Sequence, residues 1–314
     1  MASALDAPHF HNEDAAFDYV ESHLWPNGPT CPHCGNAAAA KIGRLAGKTT
    51  RAGLRKCYAC RKPFTVRMGT IFEDSHCPLR LWLQAIYLLC SSKKGFSTRQ
   101  LQRTLSVGLK TAWFLGHRIR MAMDPSAAGE TGPLGGVGKI VEADETYLGR
   151  SPKTRKPKGH VKNARRAVTV FALVERGGEQ RSMLVDQRNV RAALAKHLDP
   201  DSKLVSDSST YYRKLMPTPE QHEAVDHSKY EWKRGDAHTN TLEGFFSILK
   251  RGLVGVYQHV DTKHLDRYLA EFDFRQNNRA RLGISDEART ANAVRGTKGK
   301  RLTYETTRQG WATV

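Results

Sequence analysis

Between residues 139 and 280 the apolar runs fall in an order that few folds accept. Three come first, KIVEADETYLG, RRAVTVFALVERGG and EQRSMLVDQ, with no helical pattern between them. They are rich in β-branched residues and read as strands, and successive strands without a crossover form an antiparallel meander. NVRAALAKHLDP then has helical spacing and is closed by a proline. DSKLVSDSS reads as a fourth strand, STYYRKLMP as a short helix, HEAVDHSKYEW as a possible fifth strand and HTNTLEGFFSILKRGL as a further helix. Strand–helix–strand crossovers give parallel neighbours.

The order β-β-β-α-β-α-β-α is that of an α/β, ribonuclease-H-like domain, a mixed five-stranded sheet with helices. In that order the first strand lies at the sheet centre with the fourth beside it. Asp144 in the first strand and Asp207 at the end of the fourth then become neighbours. Glu243 lies on the late helix that crosses the sheet. Lys250 follows at i+7 and Asn240 precedes at i−3, so all three share one helical face. Three converging carboxylates can hold two divalent ions, Mg²⁺ or Mn²⁺, and such a pair cleaves and joins phosphodiesters. Glu145 points to the opposite face of its strand, and Glu142 lies earlier on the face of Asp144. Both read as ordinary carboxylates. His238 stands close enough in sequence to assist near the metals.

Four of the six cysteines fall as Cys31-Pro-His-Cys34 and Cys57-Tyr-Ala-Cys60. Two knuckles of this kind complete a closed, tetrahedral, all-sulfur site for structural Zn²⁺. With four thiolates present, His33 is not needed as a ligand. A zinc ribbon is expected over residues 15–68, and its basic residues Lys41, Arg44, Lys48, Arg51, Arg55, Lys56, Arg61 and Lys62 offer a DNA-contacting face.

Residues 69–124 read as a helical, helix-turn-helix-like segment, with Ser97 and Ser106 as candidate N-caps. Lys110, Arg118 and Arg120 on its last helix are candidate DNA contacts. A Gly-rich linker over 125–138 precedes the catalytic domain, 139–280. A formal net charge of +19 and a pI near 9.8 make nucleic acid the expected partner. The segment 150–166 concentrates that charge, with Lys153, Arg155, Lys156, Lys158, Lys162, Arg165 and Arg166 and no acid. It reads as a loop that contacts phosphates without reading sequence. Residues 281–314 read as a basic, poorly ordered or DNA-associated tail. No apolar run approaches the roughly 18 residues of a membrane span, and the first residues lack a signal peptide's pattern. A cytoplasmic, nucleoid-associated protein is expected.

The segments CPHCG…CYAC, EADETYLGR, LVSDSS and HTNTLEGFFSILKRGLVGVYQHVDTKHLDRYLAEFDFRQNNR resemble bacterial insertion-sequence transposases of the DDE class with an N-terminal zinc ribbon. The resemblance spans roughly residues 15 to 280. It implies binding of double-stranded DNA at terminal inverted repeats, metal-dependent cleavage of the ends and strand transfer of the 3′-OH to target DNA. It also implies a homo-oligomer assembled on DNA. By position, Asp144, Asp207 and Glu243 match the three catalytic acids and Lys250 the basic residue after them. Asn240 is the alternative third ligand; the i+7 lysine and the preference of a hard cation for carboxylate favour Glu243. The rival reading is a catalytically inactive zinc-ribbon DNA-binding regulator derived from such an enzyme. A tyrosine nucleophile, with Tyr147, Tyr211 and Tyr212 nearby, is the rival chemistry.

Overall fold

The computed structural model describes residues 3–125, 132–149, 168–186, 189–207, 212, 221–225 and 230–301. These fall into two compact units. One runs from the N-terminus to residue 129 without 93–95 and resumes at 283; the other holds 93–95 and 130–282.

In the first unit, helix α1 (Glu13–Leu24) starts on an Asn12 cap that accepts from Ala15 N–H. Strands β1 (Ile42–Arg44), β2 (Arg55–Cys57) and β3 (Pro63–Phe64) then form a three-stranded antiparallel sheet. So few strand residues cannot bury a core alone. Ile42 and Phe64 pack around Cys31 and Cys57, with Trp25 and Met68 against them. Arg55 reaches Glu21 of α1 with two hydrogen bonds of 3.1 and 2.6 Å, and Arg44 pairs with Asp18 at 2.6 Å. These two ribbon arginines are therefore engaged by α1, whereas Lys41, Lys48, Arg51, Arg61 and Lys62 are exposed.

Helices α2 (Leu79–Ser91), α3 (Thr98–Leu105) and α4 (Leu109–Ala122) follow. Pro78 leads into α2, and the Glu13 carboxylate accepts from the N–H groups of Leu79 and Arg80 at its first turn. Ser97 caps α3 in a reciprocal capping box with Gln100, as its S-x-x-Q spacing predicts. Ser106 does not cap α4. It ends α3 in the left-handed region at φ 52°, and Gly108 is the residue before α4. The turn is too short to spend three residues on a cap.

Two expected DNA contacts on α4 are corrected. Arg118 and Arg120 are 4% and 2% exposed. The Arg118 guanidinium donates to the carbonyls of Ile71 (2.7 Å) and Glu73 (2.8 Å) and lies over the Phe114 ring. On an amphipathic helix a long arginine can serve the buried face as readily as the wet one. Lys110 is exposed.

The expectation of a loose tail also gives way. Residues Asp286–Arg295 form helix α8, capped by Ser285 and packed with α1, α2 and α4. Arg289 donates to the Cys90 carbonyl, and Lys300 donates to the carbonyls of Ala122 and Asp124 at the end of α4. The apolar positions of this stretch, Ala291, Ala293 and Val294, are small and spaced among charges, so composition alone conceals them. Residues 302–314 lie outside the described residues.

The second unit is built on five strands: β4 (Ile140–Leu148), β5 (Val168–Glu175), β6 (Gln180–Val185), β7 (Lys203–Asp207) and β8 (His222–Val225). Their order is β6-β5-β4-β7-β8, with β4, β5 and β6 antiparallel and β7 and β8 parallel to β4. This is the ribonuclease-H-like sheet that the run order predicts, with β4 at its centre. Helix α5 (Val190–His197) covers one face, where Val190 and Leu194 pack on Val141, Ala143, Phe171, Leu173 and Leu204. Helices α6 (Asn240–Gly252) and α7 (Thr262–Asn277) cover the other, where Leu242, Phe245, Phe246 and Leu249 meet Val170, Ala172 and Val174. A Cβ at Gly252 would lie 2.4 Å from the Phe272 ring and 2.7 Å from the Lys94 carbonyl, so only glycine lets α6 end this close to α7. The expected short helix at 209–217 lies outside the described residues, apart from Tyr212.

Arg118→Ala should lower the stability of the first unit by about 2 kcal/mol, since two buried carbonyls lose their donor. Lys110→Ala should leave it unchanged. Thermal unfolding of the two variants measures the difference.

Candidate active site

Strands β4 and β7 run parallel with Ile140 level with Lys203 and Ala143 level with Ser206. One further step brings Asp144 level with Asp207. Side chains alternate along a strand, and the two faces are identified by their packing. Val141, Ala143 and Leu204 belong to the α5 side. Glu142 and Asp144 therefore lie on the α6 side, as does Asp207. The residue paired with Asp144 on β5 is Ala172, which packs against the α6 core.

What holds α6 over this place is a buried carboxylate. Glu142 has no exposure. It accepts from Arg176 Nε at 2.9 Å, from Thr241 N–H at 3.1 Å and from Thr241 Oγ1 at 3.0 Å. It thereby serves the first turn of α6, where an anion is favoured by unpaired N–H groups and the helix dipole. Arg176 also donates to the His238 carbonyl at 3.0 Å. His238 Nδ1 lies 3.4 Å from Glu142, which makes His238 part of this anchor. Asp144 is two residues beyond Glu142 and Glu243 two beyond Thr241, so one anchor brings the two acids together.

The electrostatics record that convergence. The Asp144 carboxyl is pushed up to about 7, first by burial, against a hydrogen bond from Glu145 N–H, and further by the negative charges of Asp207, Glu145 and Glu243. Glu243 is exposed and accepts from Thr239 Oγ1 at 3.4 Å. Desolvation and like charge both favour the protonated form of this carboxyl; among the described residues, the cluster with three or more metal-capable groups drawn close together is that of the four cysteines. Asn240, Glu243, Ser247 and Lys250 are all exposed and spaced to line one face of α6. Lys250 stands about 10 Å along the helix from Glu243.

Glu145 points to the other face. Tyr212 donates its hydroxyl to Glu145 Oε1 at 2.7 Å, and burial raises the Glu145 carboxyl. Tyr212 has no exposure, and burial with the neighbouring acids raises its hydroxyl. A buried phenol held by a carboxylate is a poor nucleophile. Tyr147 is 41% exposed, and Tyr211 lies outside the described residues. So do Lys153, Arg155, Lys156, Lys158, Lys162, Arg165 and Arg166. Sequence reasoning passed over the structural duty of Glu142 and its partner Arg176. The signal available was the run of acids in EADE followed, at the end of the next strand, by an arginine.

In the ribbon, Cys31 Sγ is 3.7 Å from Cys60 Sγ, and Cys34 Sγ is 3.7 Å from Cys57 Sγ. All four sulfur atoms lie within 4.8 Å of one another. Tetrahedral Zn²⁺ with Zn–S of about 2.3 Å needs sulfur edges of about 3.8 Å; the Cys31–Cys60 and Cys34–Cys57 edges match this and the other edges are no longer than 4.8 Å, so the four thiols suit the ion. The Cys57 thiol is lowered to about 6, first by the backbone N–H of Cys60 and also by that of Ala59. Against a lowering hydrogen bond from the Asn36 backbone, the Cys34 thiol is pushed the other way, up to about 12, by desolvation and by the neighbouring thiols Cys60, Cys31 and Cys57. Asn36 Nδ2 lies 3.8 Å from Cys57 Sγ as an outer partner.

Residues 11–63 match the transposase zinc-ribbon domain and residues 133–277 the ISXO2-like transposase domain. An uncharacterized protein in transposable element ISH50 of Halobacterium salinarum is 27% identical over 286 residues, spanning 85% of this chain and 92% of that protein. The crystal structure of the Mos1 strand transfer complex has 10% identity over 70% of this chain and 79% of that one, with a TM-score of 0.26. That superposition is too loose to transfer any residue.

Two outcomes test the geometry. Asp144→Asn should raise the unfolding midpoint of the metal-free catalytic unit by several degrees at pH 8. The folded-state carboxyl titrates above its unfolded value, so its charge destabilises the fold in full only above about pH 7. Glu142→Gln should lower that midpoint, by about 3 kcal/mol in stability, because Arg176 is left in a buried place without a counter-charge. Calorimetry at two pH values separates the two.

Proposed function

We propose that this chain, which belongs to the DDE-class insertion-sequence transposases with an N-terminal zinc ribbon, cleaves the ends of its element and joins the freed 3′-OH to target DNA. The observation that carries this reading is the parallel register of β4 and β7, with Asp144 and Asp207 on one face beneath the helix that bears Glu243.

Asp144, Asp207 and Glu243 would hold two Mg²⁺ or Mn²⁺ ions, which when bound stabilise negative charge on the attacking and leaving oxygens of the phosphodiester. Asp144 and Asp207 are fixed by the central strands and set the floor of the site. Glu243 enters from the exposed face of α6, where it closes one side and leaves the solvent side to DNA. Lys250, further along that face, meets a DNA phosphate. Asn240 is the second candidate for the third ligand; it begins α6 and shares the same face. The buried Tyr212 leaves no need for a covalent protein–DNA step.

Zn²⁺ on Cys31, Cys34, Cys57 and Cys60 is structural, since four thiolates leave no position for substrate. The exposed ribbon lysines and arginines, together with Lys110, contact the terminal repeat, and the segment 150–166 follows the backbone by charge alone. Double-stranded DNA at two ends and at a target is the partner, which calls for at least two copies of the chain. No described helix is long and apolar enough to cross a membrane; the protein works on DNA in the cytoplasm, in association with the nucleoid.

The test uses a duplex carrying the element's end with Mg²⁺, resolved on denaturing gels. The full chain should nick at the end and form strand-transfer products. Asp144→Asn, Asp207→Asn and Glu243→Gln should each lose at least a thousandfold in rate while retaining end binding. Asn240→Ala should fall by less than Glu243→Gln; the reverse order would move the third ligand to Asn240. Wild-type binding without any metal-dependent nicking would establish the regulator reading instead.

A further inference from the structure

Behind Asp144 and Asp207, on the α5 face of the sheet, an apolar core admits a small group of polar side chains. Glu145 pairs with Phe171, and Ser206 is level with Ala143; Phe171 and Ala143 both belong to the α5 core. Alternation therefore turns Glu145 and Ser206 toward that core, while their neighbours Asp144 and Asp207 face α6. Tyr212, five positions beyond Asp207, packs in the same core with no exposure. His222, level with Leu204 on β8, joins the group.

These side chains are bonded to one another and to the acids. The Tyr212 hydroxyl donates to Glu145 Oε1 at 2.7 Å. The Glu145 N–H in turn donates to Asp144 Oδ1 at 2.8 Å. Ser206 Oγ lies 2.8 Å from His222 Nε2 and donates to the Asp207 carbonyl at 2.7 Å. The rings of His222 and Tyr212 are 6.1 Å apart. One line of contacts thus runs from a residue just past the second acid, through Tyr212 and Glu145, to a carboxylate oxygen of the first.

A carboxylate is costly beside an apolar core, and a leucine or methionine would fill the place of Glu145 without that cost. Burial raises the Glu145 carboxyl, and the hydrogen bond from a neutral phenol offsets part of this. Packing alone does not require Glu145. What the pair supplies is direction: the hydroxyl holds the Glu145 side chain, and the Glu145 amide holds the Asp144 carboxylate. We propose that Tyr212 and Glu145 are positioning residues, a clasp through the sheet that fixes Asp144 Oδ1 relative to Asp207. The proposal rests on the reading of Asp144 and Asp207 as metal-binding acids and adds to it the pair behind them. Groups one step removed from a ligand act in this way, by orienting it before the ion arrives.

The experiment measures Mn²⁺ binding to the zinc-loaded full chain by calorimetry, without DNA. Nicking of a duplex carrying the element's end is followed in parallel, and Asp144→Asn identifies the Mn²⁺ bound at the acids. Tyr212→Phe removes the hydroxyl and keeps the ring in the core. It should weaken Mn²⁺ binding about tenfold and slow nicking by a similar factor, with nicking recovered at high Mn²⁺. Glu145→Ala should match it, and Tyr212→Phe/Glu145→Ala should fall no further, because both changes break one link. Glu145→Gln keeps an acceptor for the hydroxyl and should recover most of the affinity. Val190→Ala removes methyl groups from the same core without changing a polar group. It should lower the unfolding midpoint and leave Mn²⁺ affinity at the wild-type value. Wild-type Mn²⁺ affinity in Tyr212→Phe would overturn the clasp. So would an equal loss in Val190→Ala, which would make the pair a packing element. Nicking by Tyr212→Phe that no Mn²⁺ concentration restores, with a covalent protein–DNA adduct in wild type, would overturn it in favour of a tyrosine nucleophile. Mn²⁺ binding that Asp144→Asn leaves intact would overturn the metal-binding reading and the clasp together. A wild type that binds Mn²⁺ tenfold more tightly than Tyr212→Phe yet nicks no end would overturn the transposase reading and spare the clasp.

Discussion

Glu142 is the fixed point on which the catalytic unit depends. A buried carboxylate is unfavourable unless its charge and lone pairs are met. Here they are met by a guanidinium from the end of β5 and by the first-turn N–H and hydroxyl of α6. One side chain thus joins the central strand, its antiparallel neighbour and the crossing helix. The apolar face of α6 supplies the greater part of the packing. Apolar contact is not directional, however, and it would tolerate sliding that Glu142 does not. The contact fixes Thr241, two residues before Glu243, against the strand that carries Asp144.

The acids are a local inversion of a basic molecule. The chain carries 50 lysines and arginines against 31 acids, yet β4 alone holds Glu142, Asp144 and Glu145. Each is treated differently. Glu142 is neutralised by Arg176, Glu145 is tied to the Tyr212 hydroxyl, and Asp144 is surrounded by like charge. Alternation along a strand separates Asp144 from Glu145, and two residues of rise separate it from Glu142. The stress of burial and like charge therefore falls on Asp144.

The order of strands was legible because β-branched runs and helical spacing persist over long windows, and topology then follows from few choices. Asp144, Asp207 and Glu243 could be paired across long sequence separations only through that topology. Side-chain direction at single helix positions was not legible. Arg118 and Arg120 lie among mostly apolar residues, and nothing in their neighbours says that the carbonyls of Ile71 and Glu73 await the Arg118 guanidinium. Helix α8 was hidden for a related reason. Its buried apolar residues are two alanines and one valine, whose packing depends on partners more than a hundred residues earlier. The four cysteines were readable outright, since thiol chemistry leaves few alternatives for that spacing.

The four-cysteine cluster and the acidic face proposed to bind metal differ in what they leave open, and that difference follows from their side chains. The ribbon presents four sulfurs gathered within 4.8 Å of one another; zinc on four thiolates is complete without substrate and contributes to folding. The catalytic face presents carboxylates of unequal exposure, Asp144 half-buried and Glu243 on the surface. Such a set cannot saturate a six-coordinate ion. In the proposed function the remaining positions are left to water and to the oxygens of a phosphodiester. Rigidity is therefore placed where the ligand set is closed, and on the strands beneath the open set. The helix that carries Glu243 is held at its first turn, where Thr241 donates twice to the buried Glu142.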